Sequence, residues 1–264
     1  MGSHDIWFDL LPAYGQLKHS IALAMGPSYV AGEPVHELNH VMMALIVFAL
    51  LVFVALRYRA RLAASGDEGV VPEKGFNARS FVEVIGEATL SVMSGIMGPA
   101  AARQYLPLIG TMAFFILTSN LIGQIPGFIA PTGNFNTTFS CAIIIFLVVH
   151  YNGLKTNGPA YLKHFLGPVW WLAPLMLPIE IFSHMVRPFS LAVRLMCNMF
   201  ADHTLLGVFL TSLVAYPIFL PLPIMGLGLL VSVVQTAVFC LLSSVYIAMA
   251  IEHHEEGHDE AHAH

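Results

Sequence analysis

Apolar residues gather into long blocks along this chain, divided by short polar breaks. His40 to Tyr58 (HVMMALIVFALLVFVALRY) is the first, with Arg57, Arg59 and Arg61 at its end. About 20 apolar residues in a helix cross the roughly 30 Å hydrocarbon core of a bilayer, so a span is predicted over 40–58. After the hydrophilic stretch 62–75, Phe81, Val84, Ile85, Ala88, Val92 and Ile96 recur at helical spacing beside Arg79, Glu83 and Glu87. This predicts an amphipathic helix over 76–102 lying on the membrane surface. Tyr105 to Ile125, closed by Pro126 and Gly127, reads as a second span and Phe139 to Tyr151 as a third, joined by the polar turn 130–138 (APTGNFNTT) into a helical hairpin over 105–151. Lys155 and Lys163 mark the next loop, and Trp170 and Trp171 stand where an aromatic belt would place them. From Leu172 the sequence stays apolar to about Ala215, more than forty residues, which is too long for one perpendicular crossing. Such an element is either strongly tilted or broken near Pro174, Pro178 or Pro188. A proline-rich turn, 216–223 (YPIFLPLP), precedes a last segment from Ile224 to Ile251. The pattern predicts an all-α membrane protein of about five crossing helices plus one surface helix, with a long tilted hairpin over 172–251.

Composition agrees. The chain has 264 residues, 57% of them hydrophobic and only 10% charged, with a mean hydropathy of +0.74, whereas soluble domains carry about 25% charged residues. The net charge is −5 and the eleven basic residues are scattered, which excludes a nucleic-acid surface. Three cysteines, Cys141, Cys197 and Cys240, all lie in apolar segments and read as small core residues rather than a disulfide framework. Arg57, Arg59, Arg61, Lys74, Arg79, Arg103, Lys155 and Lys163 fall in the loops after the first span, before the second and after the third. The positive-inside rule puts those loops in the cytoplasm, the N-terminal segment 1–39 outside, and the acidic, histidine-rich tail 252–264 in the cytoplasm.

Charge matters most inside the long element. Glu180, His184, Arg187, Leu191, Arg194, Asn198 and Asp202 fall at helical spacing and share a face, broken only by Leu191. A surface helix with a solvated polar face is the bland alternative, yet the opposite side is almost wholly Leu, Met, Phe and Val. Arg194 has Ser190 and Asn198 one turn away, and the acids of the stripe stand roughly 12 and 21 Å along the axis. An arginine near the bilayer centre costs between ~3 and ~10–17 kcal/mol, so it is read as functional and as needing a carboxylate from another chain or a water-filled cavity. Glu180 and His184 extend from it toward the cytoplasmic loop, and Asn198, Asp202 and His203 toward the outer turn. Two aqueous half-paths separated by a fixed positive charge would carry protons without leaking, whereas a continuous pore would dissipate about 2.3 kcal/mol per charge per 100 mV. On the last segment Gly228, Gln235 and Tyr246 share a face beside Ser232, Thr236 and Ser243. Serines and threonines there can bond their own backbone, and Gly226 and Gly228 can let helices pack closely, but a mid-segment glutamine wants partners.

Two other readings were weighed. His36-Glu37-Leu38-Asn39-His40 fits the zincin pattern H-E-x-x-H, but it straddles the start of the first span, follows Pro34 closely and has no evident third ligand. The five tail histidines read as a solvated tail, so no metal or cofactor is implied. A stand-alone transporter binding an anion at Arg194 would call for an internal repeat, and none is found.

Ser190-Leu-Ala-Val-Arg194-Leu-Met-Cys-Asn198-Met resembles the signature S-L-x-x-R-L-x-x-N-M of subunit a of the F-type rotary ATP synthase. Arg187-Pro188, the segment Phe115 to Phe128 with Asn120, the turn Pro131 to Thr138, and Gln235 with Tyr246 are similar to that family as well, so the resemblance covers roughly residues 76 to 252. It implies a stator that passes protons to a rotating ring of c subunits from two offset half-channels, coupling proton flow to ATP synthesis, with no catalytic chemistry on this chain. Arg194 would face the ring carboxylate with Gln235 across from it. Glu180 and His184 would lie in the cytoplasmic half-channel, and Asn198 and His203 in the outer one. Arg187, Ser190, Asn120 and Tyr246 would support them. The implied partners are the c-ring, peripheral-stalk b subunits and the lipid bilayer of a bacterial energy-coupling plasma membrane. The family often has glycine where Cys197 and Asp202 stand, glutamate where His203 stands and an ionisable residue near Gly228. Asp202 and His203 are therefore read as jointly supplying the outer relay, a role suited to an imidazole that titrates near neutrality.

Overall fold

The computed structural model describes residues 15–16, 20, 39–65, 78–125, 127–158, 171, 173–212 and 221–252. Among them are five long helices and no strand: α1 (Asn39–Ser65), α2 (Ala78–Gly123), a 3-10 turn (Pro131–Gly133), α3 (Phe135–Asn157), α4 (Ala173–Ser212) and α5 (Pro221–Glu252). Hydrocarbon offers the backbone no hydrogen bonds, so a chain this apolar satisfies its N–H and C=O groups within helices. Residues 6–12, His36 to Leu38, Lys163, Trp170, residues 216–220 and the tail from 253 lie outside the described residues.

Several boundaries differ from expectation for local reasons. The first helix runs seven residues past Tyr58 to Ser65, so Arg57, Arg59 and Arg61 are helical rather than in a loop. Arg57 lies over the Phe53 ring at 5.5 Å, one turn back. The helices expected over 76–102 and 105–125 follow one another within α2, with the break between them at the non-helical Gly98 (φ 79°, ψ 161°) rather than after 102. That conformation is essentially open to glycine alone, and Pro99 follows it with no amide to donate. The polar turn ends earlier than expected, because Asn134 Oδ1 accepts the Asn136 amide at 3.0 Å and caps the start of α3. The long element is unbroken: α4 runs 40 residues with Pro178 and Pro188 inside it, about 60 Å at 1.5 Å per residue.

Four of the described helices contain stretches long and apolar enough to cross a membrane: Asn39–Ala63, Arg79–Gly123, Phe135–Thr156 and Met225–Ile251. The fifth, α4, carries Glu180, Arg187, Arg194 and Asp202. By contact the chain divides into two compact units. One comprises Met1–Val70, Phe115–Thr137 and Leu195–Val234. Its core includes Met43, Val47, Ile116, Leu195 and Met199, with α1 packed against the 3-10 turn. The other comprises Val71–Phe114, Thr138–Arg194 and Gln235–His264, with Met93, Ile109, Ile145, Leu191, Phe239 and Ile247 at its centre.

The face of α2 that carries Phe81 and Val84 is turned outward, while Arg79 is 5% exposed and pairs with Glu83 at 2.7 Å. In lipid the apolar residues face the solvent and the ion pair goes inside, the reverse of an amphipathic helix on a soluble protein.

No atom lies within 4 Å of a Cβ built at Gly98, so the requirement for glycine there is conformational rather than steric. Gly98→Ala is expected to lower the unfolding free energy of the detergent-solubilised chain by about 1–3 kcal/mol, read in a denaturing-detergent titration. Gly95→Ala, equally open and helical, should have no such effect.

Candidate functional site

In the second unit the first half of α4 meets α3 and α5. His184 Nε2 lies 3.3 Å from Glu180 Oε1, one turn back on α4, and both side chains are half-buried. The His184 ring stands edge-to-face with His150 of α3, centroids 5.4 Å apart and planes at 77°. One turn further along α4, the Arg187 guanidinium lies 5.7 Å from the centre of the Tyr246 ring on α5. His150, His184, Arg187 and Tyr246 border a small cavity of about 20 Å³, otherwise lined by apolar groups that include Ile145, Val149 and Leu191.

Arg194, in the same unit, is exposed on the outer side of α4. The neighbouring outward residues on that helix are apolar, Phe182 at 71% and Phe189 at 52% exposure among them. Leu191 and Leu195 take the buried positions beside it. The polar stripe read from the sequence is thus not a buried seam. Its ionisable members run along the edge of the helix, while Leu191 fills the inside. Gln235 on α5 differs, being 4% exposed. Thr236 and Phe239 are buried beside it.

The first unit holds the remaining candidates. Asn120, fully buried near the end of α2, accepts a hydrogen bond of 2.6 Å from Thr132 Oγ1, which ties α2 to the 3-10 turn. Asp202 receives a long hydrogen bond of 3.5 Å from Gln124 Nε2. His203, the next residue on α4, points elsewhere: its Nε2 is buried with no hydrogen-bond partner, 3.0 Å from where a Cβ on Gly123 would stand. Adjacent residues on a helix diverge by about 100°, so the two reach different neighbours. Asn198 is half-buried between Leu195 and Met199.

The two glycines singled out on α5 behave differently. Gly226 faces open space, whereas a Cβ on Gly228 would lie 2.5–2.7 Å from the Gln124 amide. Of the small polar residues, Ser232 bonds back to the Gly228 carbonyl at 2.8 Å and Ser244 to that of Cys240 at 2.7 Å, while Ser243 Oγ is buried without a hydrogen-bond partner.

The structure therefore brings Glu180, His184, Arg187 and Tyr246 together in one unit, and Asn120, Asp202 and His203 with Gln124 in the other. Two members escaped the sequence. His150 sits within an ordinary apolar run with no polar residue one turn away on either side, and Gln124 lies just past the end of α2, four residues after Asn120; each reaches the site from a segment other than α4.

The sequence profile of the family described as ATP synthase A chain matches residues 40–248. The chain is also similar to ATP synthase subunit a of Bdellovibrio bacteriovorus, 45% identical over 83% of this chain and 93% of that one. The same protein of Sorangium cellulosum is 44% identical over 80% and 82% of the two chains. That of Geobacter sulfurreducens is 41% identical over 83% and 92%.

The close approach at Gly228 predicts a sign reversal. Gly228→Ala forces the flexible Gln124 amide off Asp202 and should destabilise the solubilised chain by about 1 kcal/mol. In a Gln124→Ala background the same change meets no obstacle, and the helix preference of alanine makes it neutral or stabilising by up to about 1 kcal/mol. Unfolding titrations of the four variants of this cycle provide the measurement; additive effects would show that Gln124 and Gly228 are not in contact.

Proposed function

The chain belongs to the ATP synthase A chain family, and on that premise we propose that it is the stator of two offset proton half-channels facing the c-ring. Its multi-pass helices place it in the membrane sector of an ATP synthase, and proton transport and ATP synthesis follow from the family. In the proposed reading, residues 1–39 lie outside and the tail 252–264 in the cytoplasm. Glu180, His184 and Arg187 line the cytoplasmic half-path, and Asn198, Asp202 and His203 line the outer one, with Asn120 holding the turn beside it. The chain binds and moves protons; the bond-making chemistry belongs to other subunits.

The observation that carries the proposal is the position of Arg194, a guanidinium on an outward face whose other exposed members include Phe182 and Phe189. Such a face suits lipid or an apolar partner, and a fixed cation within it calls for a carboxylate that none of the described residues supplies. A carboxylate on each c subunit meets that need once per step of the ring. At an effective dielectric of about 20, a pair at 4 Å is worth about 4 kcal/mol, strong enough to strip the proton from the arriving carboxyl and weak enough to be exchanged at the next step. The same charge repels a hydronium between the two half-paths, so a proton passes only by riding the ring. Gln235, buried on α5, serves as a neutral donor and acceptor near that junction, and Ser190 shares the outward side with Arg194. The unbroken length of α4 supports the geometry: a rod of about 60 Å fits a layer of about 30 Å only when it lies far from the membrane normal. It then presents a long edge along the ring, and b subunits of the peripheral stalk hold the stator against rotation.

Arg194→Ala is expected to abolish ATP-driven proton pumping in inverted membrane vesicles while the complex still assembles; normal pumping by the assembled variant would sink the proposal. Asp202→Asn and His203→Ala together should slow proton flux more than the product of their separate effects. Independent, multiplicative effects would show that they do not share one relay.

A further inference from the structure

We propose that His150 is a further proton-carrying residue of the cytoplasmic half-path, taking protons from and returning them to water in the cavity it shares with His184, Arg187 and Tyr246. The inference rests on the half-channel reading above and adds a member from a helix, α3, to which that reading assigns nothing.

The cavity has a volume of about 20 Å³, room for one water molecule. Its polar lining consists of His150 from α3, His184 and Arg187 from α4, and Tyr246 from α5. A guanidinium offers only donors and no lone pair to receive a proton, and a phenol is a poor proton acceptor. An imidazole can take up a proton and give it back. The two histidines are thus the groups lining the cavity that can carry a proton through it, and they stand ring to ring at 5.4 Å.

Backbone geometry fixes the role of each nitrogen of His150. Nδ1 lies 2.9 Å from the carbonyl oxygen of Phe146, one turn back on α3. A carbonyl can only accept, so Nδ1 carries the hydrogen and the lone pair of the neutral ring sits on Nε2. Phe146 stacks obliquely on the same ring at 4.0 Å, holding its plane. In the step proposed, a hydronium at the cavity gives its proton to Nε2, the N–H bond forming as the O–H bond breaks and leaving neutral water. The reverse step returns the proton to water, from which it passes to the His184–Glu180 pair at 3.3 Å. His150 therefore works as a docking point on one side of the path rather than as a wire through the ring. The Glu180 carboxylate favours a cation in this region and the fixed charge of Arg187 disfavours one, so a proton held there is not trapped.

The test uses the whole ATP synthase in vesicles made leaky with a protonophore, where ATP hydrolysis still requires proton passage but no gradient forms. His150→Phe preserves the ring stack, and His150→Ala leaves a space the size of imidazole. At equal amounts of assembled complex, both variants are expected to hydrolyse ATP about tenfold more slowly. Millimolar imidazole should restore the Ala variant and leave the Phe variant slow, a response that a purely packing role for His150 would not give. Wild-type turnover in His150→Phe, or a slow His150→Ala that ignores imidazole, would overturn the inference. Arg194→Ala in the same assay separates the two levels. If it stalls while His150→Phe runs normally, only the role of His150 is lost; if it runs normally, the half-channel reading fails as well.

Discussion

A guanidinium cannot be left alone in hydrocarbon, and the arrangement of this chain follows from that constraint. The costs quoted for an isolated arginine in a bilayer, from ~3 to ~10–17 kcal/mol, are comparable to the whole stability of a domain. Within this chain Arg194 sits on the outward side of α4, next to an inner seam of Leu191 and Leu195. In the proposed reading its stabilisation falls to another molecule. A subunit built that way would be incomplete by design, its guanidinium neutralised only when the rotor is beside it, and differently at each step.

The same solvent inverts the usual division between inside and outside. Large apolar side chains such as Phe48, Phe53 and Leu56 on α1 are exposed because lipid welcomes them, while polar groups turn inward and find partners. Arg79 pairs with Glu83, Thr132 donates to Asn120, and Ser232 and Ser244 fold back on the helix that carries them. Close packing relies on small residues, as where Gly228 lets the Gln124 amide lie against α5. Without a hydrophobic effect between helices, such hydrogen bonds and close contacts carry much of the specificity of packing.

Length and periodicity made most of the helices legible. Long apolar runs bounded by charge, polar turns or proline mark a span whatever their order, so α1, α3 and α5 were placed to within a few residues apart from the ends of α1 and α3. The pattern also showed the ionisable residues of α4, since charge in an apolar block stands out. It failed where geometry depends on one residue. Gly98 sets the break between the two expected helices a few residues earlier than their spacing suggested, and Pro178 and Pro188 leave α4 unbroken although proline ordinarily marks an end. His150 and Gln124 were missed for a related reason: each belongs to the site only because segments distant in sequence meet, which spacing along one helix does not report. The shared face of Glu180, Arg187, Arg194 and Asp202 was legible from spacing, but its exposure was not, because in lipid polarity alone does not say which side of a helix is buried.

Pro188 borders the same cavity as His150, and its ring nitrogen has no hydrogen to offer the carbonyl of His184 four residues back. Pro178 stands in the same relation to Pro174. Because α4 keeps its helical course past both, those two carbonyl oxygens must be satisfied from outside the ladder, by a side chain, a neighbouring helix or water. Proline, counted among the apolar residues by any hydropathy scale, thus acts here as a source of polarity. It unmasks backbone oxygen at chosen levels of a helix without introducing a charge, and so gives a wet path footholds that no inventory of ionisable side chains would reveal.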